Sequence, residues 1–475
     1  MRHLLLTVVV LGCTPDSVGM DDSSSDMTAT GDTATLEYSS PEECAECHPT
    51  HYDEWQRSMH AYAAKSPSFD VISAKTYRDT SGEIGTFCTG CHTPIGEAQG
   101  EPGWTTAATR SDISRSGISC DYCHTVKDNG LVIGNQEFVD GPSHVKSGPY
   151  ESDYTGAHAT TKSDFIQSPE FCGGCHDVFK FPGLNIEQAY TEYVDSYAAE
   201  DGQSCQDCHM SPTPGVADEK PMGPSAIVDG VEYPDRELSS HLFVGPDYAL
   251  IDDFPYEDDL EASAIAQEEH LLQVETLLQN SAELADVTVT ASDSSLNIDV
   301  TVRSLTAGHW IPTGFTAERQ MWLAVEVADS NGFVVWQTGD LDSNGDLRNE
   351  HSIEVMSGES FEDSSLVNYQ ALNTVNWRYY EEDGTFSMDH LGGTYNTVLP
   401  TDAISILRMG LQPLEERVES YEVFVASGSL TEATVTVSLY FRNLPPYIFR
   451  ELGVAELAER LHVFTIDSTS VEVEL

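Results

Sequence analysis

The chain of 475 residues is 40% hydrophobic and 9% aromatic, enough for two or three domains with ordinary cores, so whole-chain disorder is excluded. With 22 Lys+Arg against 79 Asp+Glu its formal net charge is −57, which excludes a stable electrostatic grip on nucleic acid or anionic lipid and reads as a solvated, salt-adapted surface rather than a dedicated patch. Outside residues 4–11 no apolar run approaches the ~18 residues needed to cross a bilayer, and that run is too short.

In chain order, Met1-Arg2-His3 and the apolar run Leu4–Gly12 form the charged and hydrophobic regions of a secretory signal, 1–12. Cys13 follows directly. This arrangement resembles a bacterial lipoprotein signal, which implies lipidation of Cys13; a plain signal with an incidental cysteine is the alternative. Residues 13–40 have the Ser/Thr/Asp/Gly composition of a disordered acidic tether. The expected location is therefore periplasmic or at the cell surface, anchored to the outer membrane by lipid.

Ten of the eleven cysteines fall in five copies of one motif, far above chance. Motif 1 is Cys44-x-x-Cys47-His48, motif 2 Cys88-x-x-Cys91-His92, motif 3 Cys120-x-x-Cys123-His124, motif 4 Cys172-x-x-Cys175-His176 and motif 5 Cys205-x-x-Cys208-His209. Two thiols at this spacing each form a thioether with one haem vinyl group, and the adjacent histidine becomes the proximal iron ligand. Zinc would need converging pairs of C-x-x-C and gives no reason for a histidine after every second cysteine. Five covalent c-type haems are therefore expected in residues 41–250. That segment is rich in Gly, Pro, Ser and Asp and shows little sustained periodicity, so the haems themselves would be its core.

Function turns on the sixth iron ligand, because a haem closed by two protein ligands is generally restricted to electron transfer. His60, in a short helical stretch after motif 1, is the favoured distal ligand. His144 and His158, in turn-rich chain between motifs 3 and 4, and His241, after motif 5, are further candidates. His309 lies between two strand patterns and is either a loop residue or a fifth distal ligand that would fasten the two halves together. His51 reads as an exposed neighbour of His48, with service to another haem as the alternative, His270 as a solvent-face residue of a helix, and Met59 or Met210 as less simple ligands.

Residues 251–285 are helical by pattern, with Asp258 and Asp259 at the start. From 286 to 475 the period changes to short, β-branched, alternating runs at 287–290, 296–302, 322–327, 333–336, 421–425 and 433–439, which predicts an antiparallel β-sandwich. The fold class is thus α+β multidomain: a haem-packed, mostly irregular, short-helical domain, a linking helix and the sandwich. Within the latter, Asp340, Asp342, Asn344 and Asp346 alternate as oxygen ligands do in calcium loops, although His351 stands where an EF-hand needs its last carboxylate and a plain turn is the simpler reading. No phosphate loop, nucleophile elbow or H-E-x-x-H motif is present.

Motif 1 followed by Trp55 and Ser58-Met59-His60-Ala61, the run Glu170–Val178, and Ser204–Met210 resemble the hydroxylamine-oxidoreductase-like multihaem c-type cytochromes. Gly308-His309-Trp310-Ile311-Pro312-Thr313-Gly314 and Arg442-Asn443-Leu444-Pro445-Pro446-Tyr447 are similar to the C-terminal domain of exported members of that group. The resemblance implies distal ligation by His60, His144 or His158, His241 and His309. It also implies electron transfer, in some members to extracellular acceptors. The leading expectation is a pentahaem relay between a donor and an extracytoplasmic acceptor, with redox proteins or an extracellular acceptor as partners. A multihaem reductase or oxidoreductase with one open haem, acting on a small nitrogen or sulfur compound, is the alternative. A third option is a subunit that its sandwich docks into an oligomer or filament.

Overall fold

The computed structural model describes residues 38–474 except 128–133, 136–138, 141–143, 153–155, 181–182, 293, 381–385, 397–401 and 426–430, and except the side chains of 139–140 and 375–396. The expected signal, Cys13 and nearly all of the tether lie outside the described residues, as does the side chain of His390. Among the described residues no helix is long and apolar enough to cross a membrane.

Each motif occupies one turn of a short helix or its end. They are carried by α1 (Pro41–Ala45), α5 (Phe87–His92), α6 (Cys120–Cys123), α7 (Pro169–Gly173) and α9 (Cys205–His209), with α2 (Pro49–Gln56), α3 (Met59–Tyr62), α4 (Pro67–Asp79) and α8 (Ala189–Val194) between them. Residues i and i+3 share a helix face, so a single turn aims both thiols the same way. The histidine closes that turn by donating its N–H to the first cysteine's carbonyl, at 2.8 Å from His48 to Cys44, 3.0 Å from His124 to Cys120 and 2.9 Å from His176 to Cys172. Among the described residues, buried hydrophobic side chains form two small clusters here. Trp55, Ala61, Tyr62 and Phe254 make one, and Ile95, Tyr122 and Val126 the other.

The expected helix over 251–285 is shorter, α10 (Leu260–Gln279). Pro255 lies in the segment before it, and Asp259 caps the first turn by accepting the Ala262 N–H at 3.0 Å, so the helical pattern begins only past the proline. His270 on this helix is buried rather than solvent-facing: its Nε2 donates to the Asp247 carbonyl at 2.9 Å.

Beyond α10 the chain alternates at the period of two that the sequence displays. An antiparallel sheet joins β1 (Ala282–Ala291), β2 (Ser295–Ser304) and β6 (Glu416–Phe424) in that order. A second, also antiparallel, runs β4 (Val334–Thr338), β3 (Gln320–Asp329), β7 (Glu432–Arg442), β8 (Phe464–Glu474), with β5 (Val367–Asn368) added against β3. Leu296, Ile298, Val300 and Val302 of β2 share one apolar core with Met321, Leu323, Val325 and Val327 of β3 and Val435, Val437, Leu439 and Phe441 of β7. Val274 and Leu278 of α10 join the same core, which ties the helix to the β-rich half.

The acidic loop at 340–346 has the bonding of the plain turn and gives the calcium option no support. Asp342 spends one carboxylate oxygen on the N–H groups of Asn344 and Asp346 (2.7 and 2.9 Å) and the other on the Ser352 hydroxyl (2.7 Å). Asp340 is paired with Arg348 at 2.8 Å and Asp346 with Arg450 at 2.5 Å. These carboxylates are committed to a turn and to arginines, and no group of three or more His, Cys, Asp or Glu placed to hold an ion occurs among the described residues.

Candidate multihaem site

The five motifs line one continuous cavity of about 2200 Å³. That exceeds the ~300–1,000 Å³ of a site for one small molecule. Its walls carry imidazoles in facing pairs. The ring centroids of His48 and His158 are 6.4 Å apart, those of His60 and His176 6.3 Å, His124 and His241 6.5 Å, and His209 and His309 6.1 Å. Rings in van der Waals contact would stand nearer. Two imidazoles bound to one metal at about 2.0 Å each would put their centroids about 6 Å apart, the spacing seen in all four pairs.

The hydrogen bonds of these rings leave Nε2 available. Nδ1 of His48 lies 2.9 Å from the Ser225 carbonyl, that of His124 2.6 Å from Ser147 and that of His209 3.1 Å from Val244. Nδ1 of His158, His241 and His309 likewise approaches the carbonyls of Ala159, Ser239 and Trp310 at 3.2, 2.9 and 2.8 Å. A carbonyl accepts only if Nδ1 carries the proton, which fixes the tautomer whose Nε2 lone pair can bind a metal. Burial keeps the rings neutral as well: it lowers His60 and His241 to about 3 and His309 to about 4.

The local fold explains which histidines meet. The parallel ladder of Val145–Gly148 with Ala159–Lys162 puts Ser147 against His124 and brings His158 towards His48. His144, at the start of that ladder, is exposed, and its carbonyl accepts the Ala159 N–H at 3.1 Å. The two candidates left open by the sequence are thus placed differently, His158 in the cavity and His144 outside it. His51 is not an exposed neighbour either. Its ring is 4.8 Å from His241 and 6.2 Å from His48, and burial holds it down to about 4.

His309 reaches the cavity from the β-rich half on a loop held by Glu192 of α8. Glu192 accepts from the Trp310 N–H at 2.8 Å and the Thr313 hydroxyl at 2.7 Å and pairs with Arg408, which lies 4.2 Å over the Trp310 ring. Ala198 donates to the Ala307 carbonyl at 3.1 Å beside it. Sequence reading missed Glu192, since nothing in its neighbourhood marks it apart from one more acid in an acidic chain.

Motif 2 differs from the others. Among the described side chains no imidazole faces His92; the Phe69 ring stacks on it instead, at 3.9 Å and 6°. Its Nδ1 is buried without a hydrogen-bond partner. Glu187, buried and pushed up to about 8 by desolvation, is close enough to Cys91 to sense its charge. These residues lie outside the motifs, so spacing could not reveal them.

The motif thiols also adjoin one another. Cys44 and Cys120, Cys91 and Cys175, and Cys172 and Cys205 lie close enough to perturb one another's ionisation, while Cys123 acts electrostatically on Cys172 and Cys175. The neighbour order is motif 1, motif 3, motif 4, with motifs 2 and 5 both beside motif 4. Cavity, paired thiols and neutral Nε2 donors fit covalently bound haem.

Residues 43–125 match the family model for cytochrome c554 and c-prime. The fold is similar to that of a penta-heme cytochrome c552 from Thermochromatium tepidum, with a TM-score of 0.57 and 20% sequence identity over 92% of this chain and 100% of that one. No curated protein matches the chain. Together with the five motifs, these likenesses support a multihaem c-type cytochrome with haem-based electron transfer.

Proposed function

We propose that this chain is an exported pentahaem cytochrome, of the hydroxylamine-oxidoreductase-like kind, that passes single electrons between a donor and an extracytoplasmic acceptor. Five haems on motifs 1 to 5 would supply one-electron storage at low-dielectric, closely spaced sites. The carrying observation is that four facing imidazole pairs and the cysteine pairs of all five motifs share one cavity. In this reading His48, His92, His124, His176 and His209 are proximal ligands, and His158, His60, His241 and His309 close motifs 1, 4, 3 and 5. Backbone carbonyls hold the rings in register, and the protein excludes water from the edges through which electrons move. The β-rich half contributes His309 and the surface on which partners would dock. Anchoring through Cys13 and association into larger assemblies belong to the same proposal.

The test is stopped-flow oxidation of the fully reduced holoprotein. Smooth loss of five electrons to an outer-sphere acceptor, with no faster reaction on adding nitrite or hydroxylamine, supports the relay. Reduction of either compound faster than the outer-sphere reaction would favour the second reading, a reductase or oxidoreductase working at motif 2. That reading is kept because His92 alone among the proximal histidines has no facing imidazole among the described side chains.

A further inference from the structure

We propose that Arg110 and Asp70 form a buried charge pair that sets the reduction potential of the haem on motif 2, making it the place where an electron comes to rest at the end of one branch. This rests on reading motif 2 as a haem site and goes beyond it.

The pair is built in layers. The Arg110 side chain is fully enclosed, at 0% exposure, and Asp70 nearly so at 14%. One Arg110 nitrogen donates to the Ala64 carbonyl at 2.5 Å; Nη2 donates to the Thr105 carbonyl at 2.8 Å and meets Asp70 Oδ1 at 2.8 Å. The guanidinium carbon lies 5.3 Å over the Phe69 ring, whose other neighbour is the stacked imidazole of His92. Guanidinium, phenyl and proximal imidazole thus stand in series. The N-cap of α4, where Ser66 accepts the Phe69 N–H at 3.3 Å, fixes the middle layer.

The consequence for the metal follows from charge. His48, His124 and His209 each direct Nδ1 at a carbonyl, which makes the imidazole a stronger donor and favours ferric iron. His92 faces the Ala63 carbonyl but falls short of a full hydrogen bond to it, and a buried cation acts on it at short range in a low dielectric, where charge is poorly screened. Both effects favour the reduced state. Asp247 also acts on His92 with the opposite sign, but less than Arg110 does. Burial pushes the Asp70 carboxyl up, while the Ala107 N–H at 2.7 Å and Arg110 favour its charged form; as a carboxylate it offsets part of the guanidinium charge, so the pair works as an adjustable dipole. Motif 2 lies beside motif 4 alone in the thiol series, at the end of its branch.

Opposite substitutions separate this from simple packing. In redox titrations of the holoprotein, Arg110→Gln should shift one of five components to lower potential, Asp70→Asn should shift the same component to higher potential, and Arg110→Lys should restore most of the first shift. The haem count by mass stays at five in all three, and the responding component is the one lost in a Cys88→Ser, Cys91→Ser variant. If Arg110→Gln folds poorly, Asp70→Asn alone still carries the sign. Shifts of the same direction in both variants, or shifts spread evenly over all five components, would overturn the proposal. Absence of any high-spin haem, with the opposite shifts retained, would refute the open face at motif 2 and leave the charge pair standing.

Discussion

The two halves solve the problem of an interior in opposite ways. Residues 286–474 bury β-branched and aromatic side chains from two antiparallel sheets into one large core, whereas the described residues of 41–250 contribute three buried hydrophobic residues to each of two small clusters around a cavity of about 2200 Å³. A chain with so little apolar burial gains too little to offset the entropy of ordering it. The difference teaches that the first half is specified by what it holds, and the second by what it buries.

The largest effect should come from withholding the cofactor. Protein matured without haem should lose protease resistance throughout 41–250 while fragments from 280 onwards persist, as read by limited proteolysis with mass analysis; a first half that stays resistant would remove the asymmetry. Next, Ile298→Ala or Val437→Ala, at fully buried core positions, should cost about 2–4 kcal/mol in calorimetry of the β-rich transition, with five haems still attached.

His309→Ala tests the tie between halves. One haem should convert to a high-spin or water-ligated form and proteolysis between 251 and 285 should accelerate, whereas a loop histidine would change neither. Glu192→Gln should give a smaller loss, about 1–3 kcal/mol, because it weakens the charge-assisted bonds that hold the Trp310 loop while leaving His309 in place. Smallest is a pH effect at α10. Burial lowers His270 below its usual 6.5, so the unfolded chain binds the extra proton first and stability falls as pH drops below that value. His270→Gln should flatten the fall of Tm on acidification; an unchanged slope would place the titration elsewhere.

Legibility divided along the same line. The motifs are local, so covalent spacing names every proposed proximal ligand, and each of the six period-two runs overlaps an observed strand that is longer overall. The proposed distal ligands are non-local. His144 and His158 sit in similar turn-rich chain, and only the parallel ladder distinguishes them. The Phe69, Arg110 and Asp70 series draws on α4 and a loop some 40 residues away, so no spacing could announce it. His51 and His270 were misjudged because local polarity says nothing about burial imposed by other segments.

The central claim is that four of five iron sites are closed by paired imidazoles and one is not. Electron paramagnetic resonance of the oxidised holoprotein, integrated against five haems by mass, tests it directly. The account predicts four low-spin bis-imidazole signals and one high-spin signal. Five low-spin signals, or more than one high-spin haem, would contradict it.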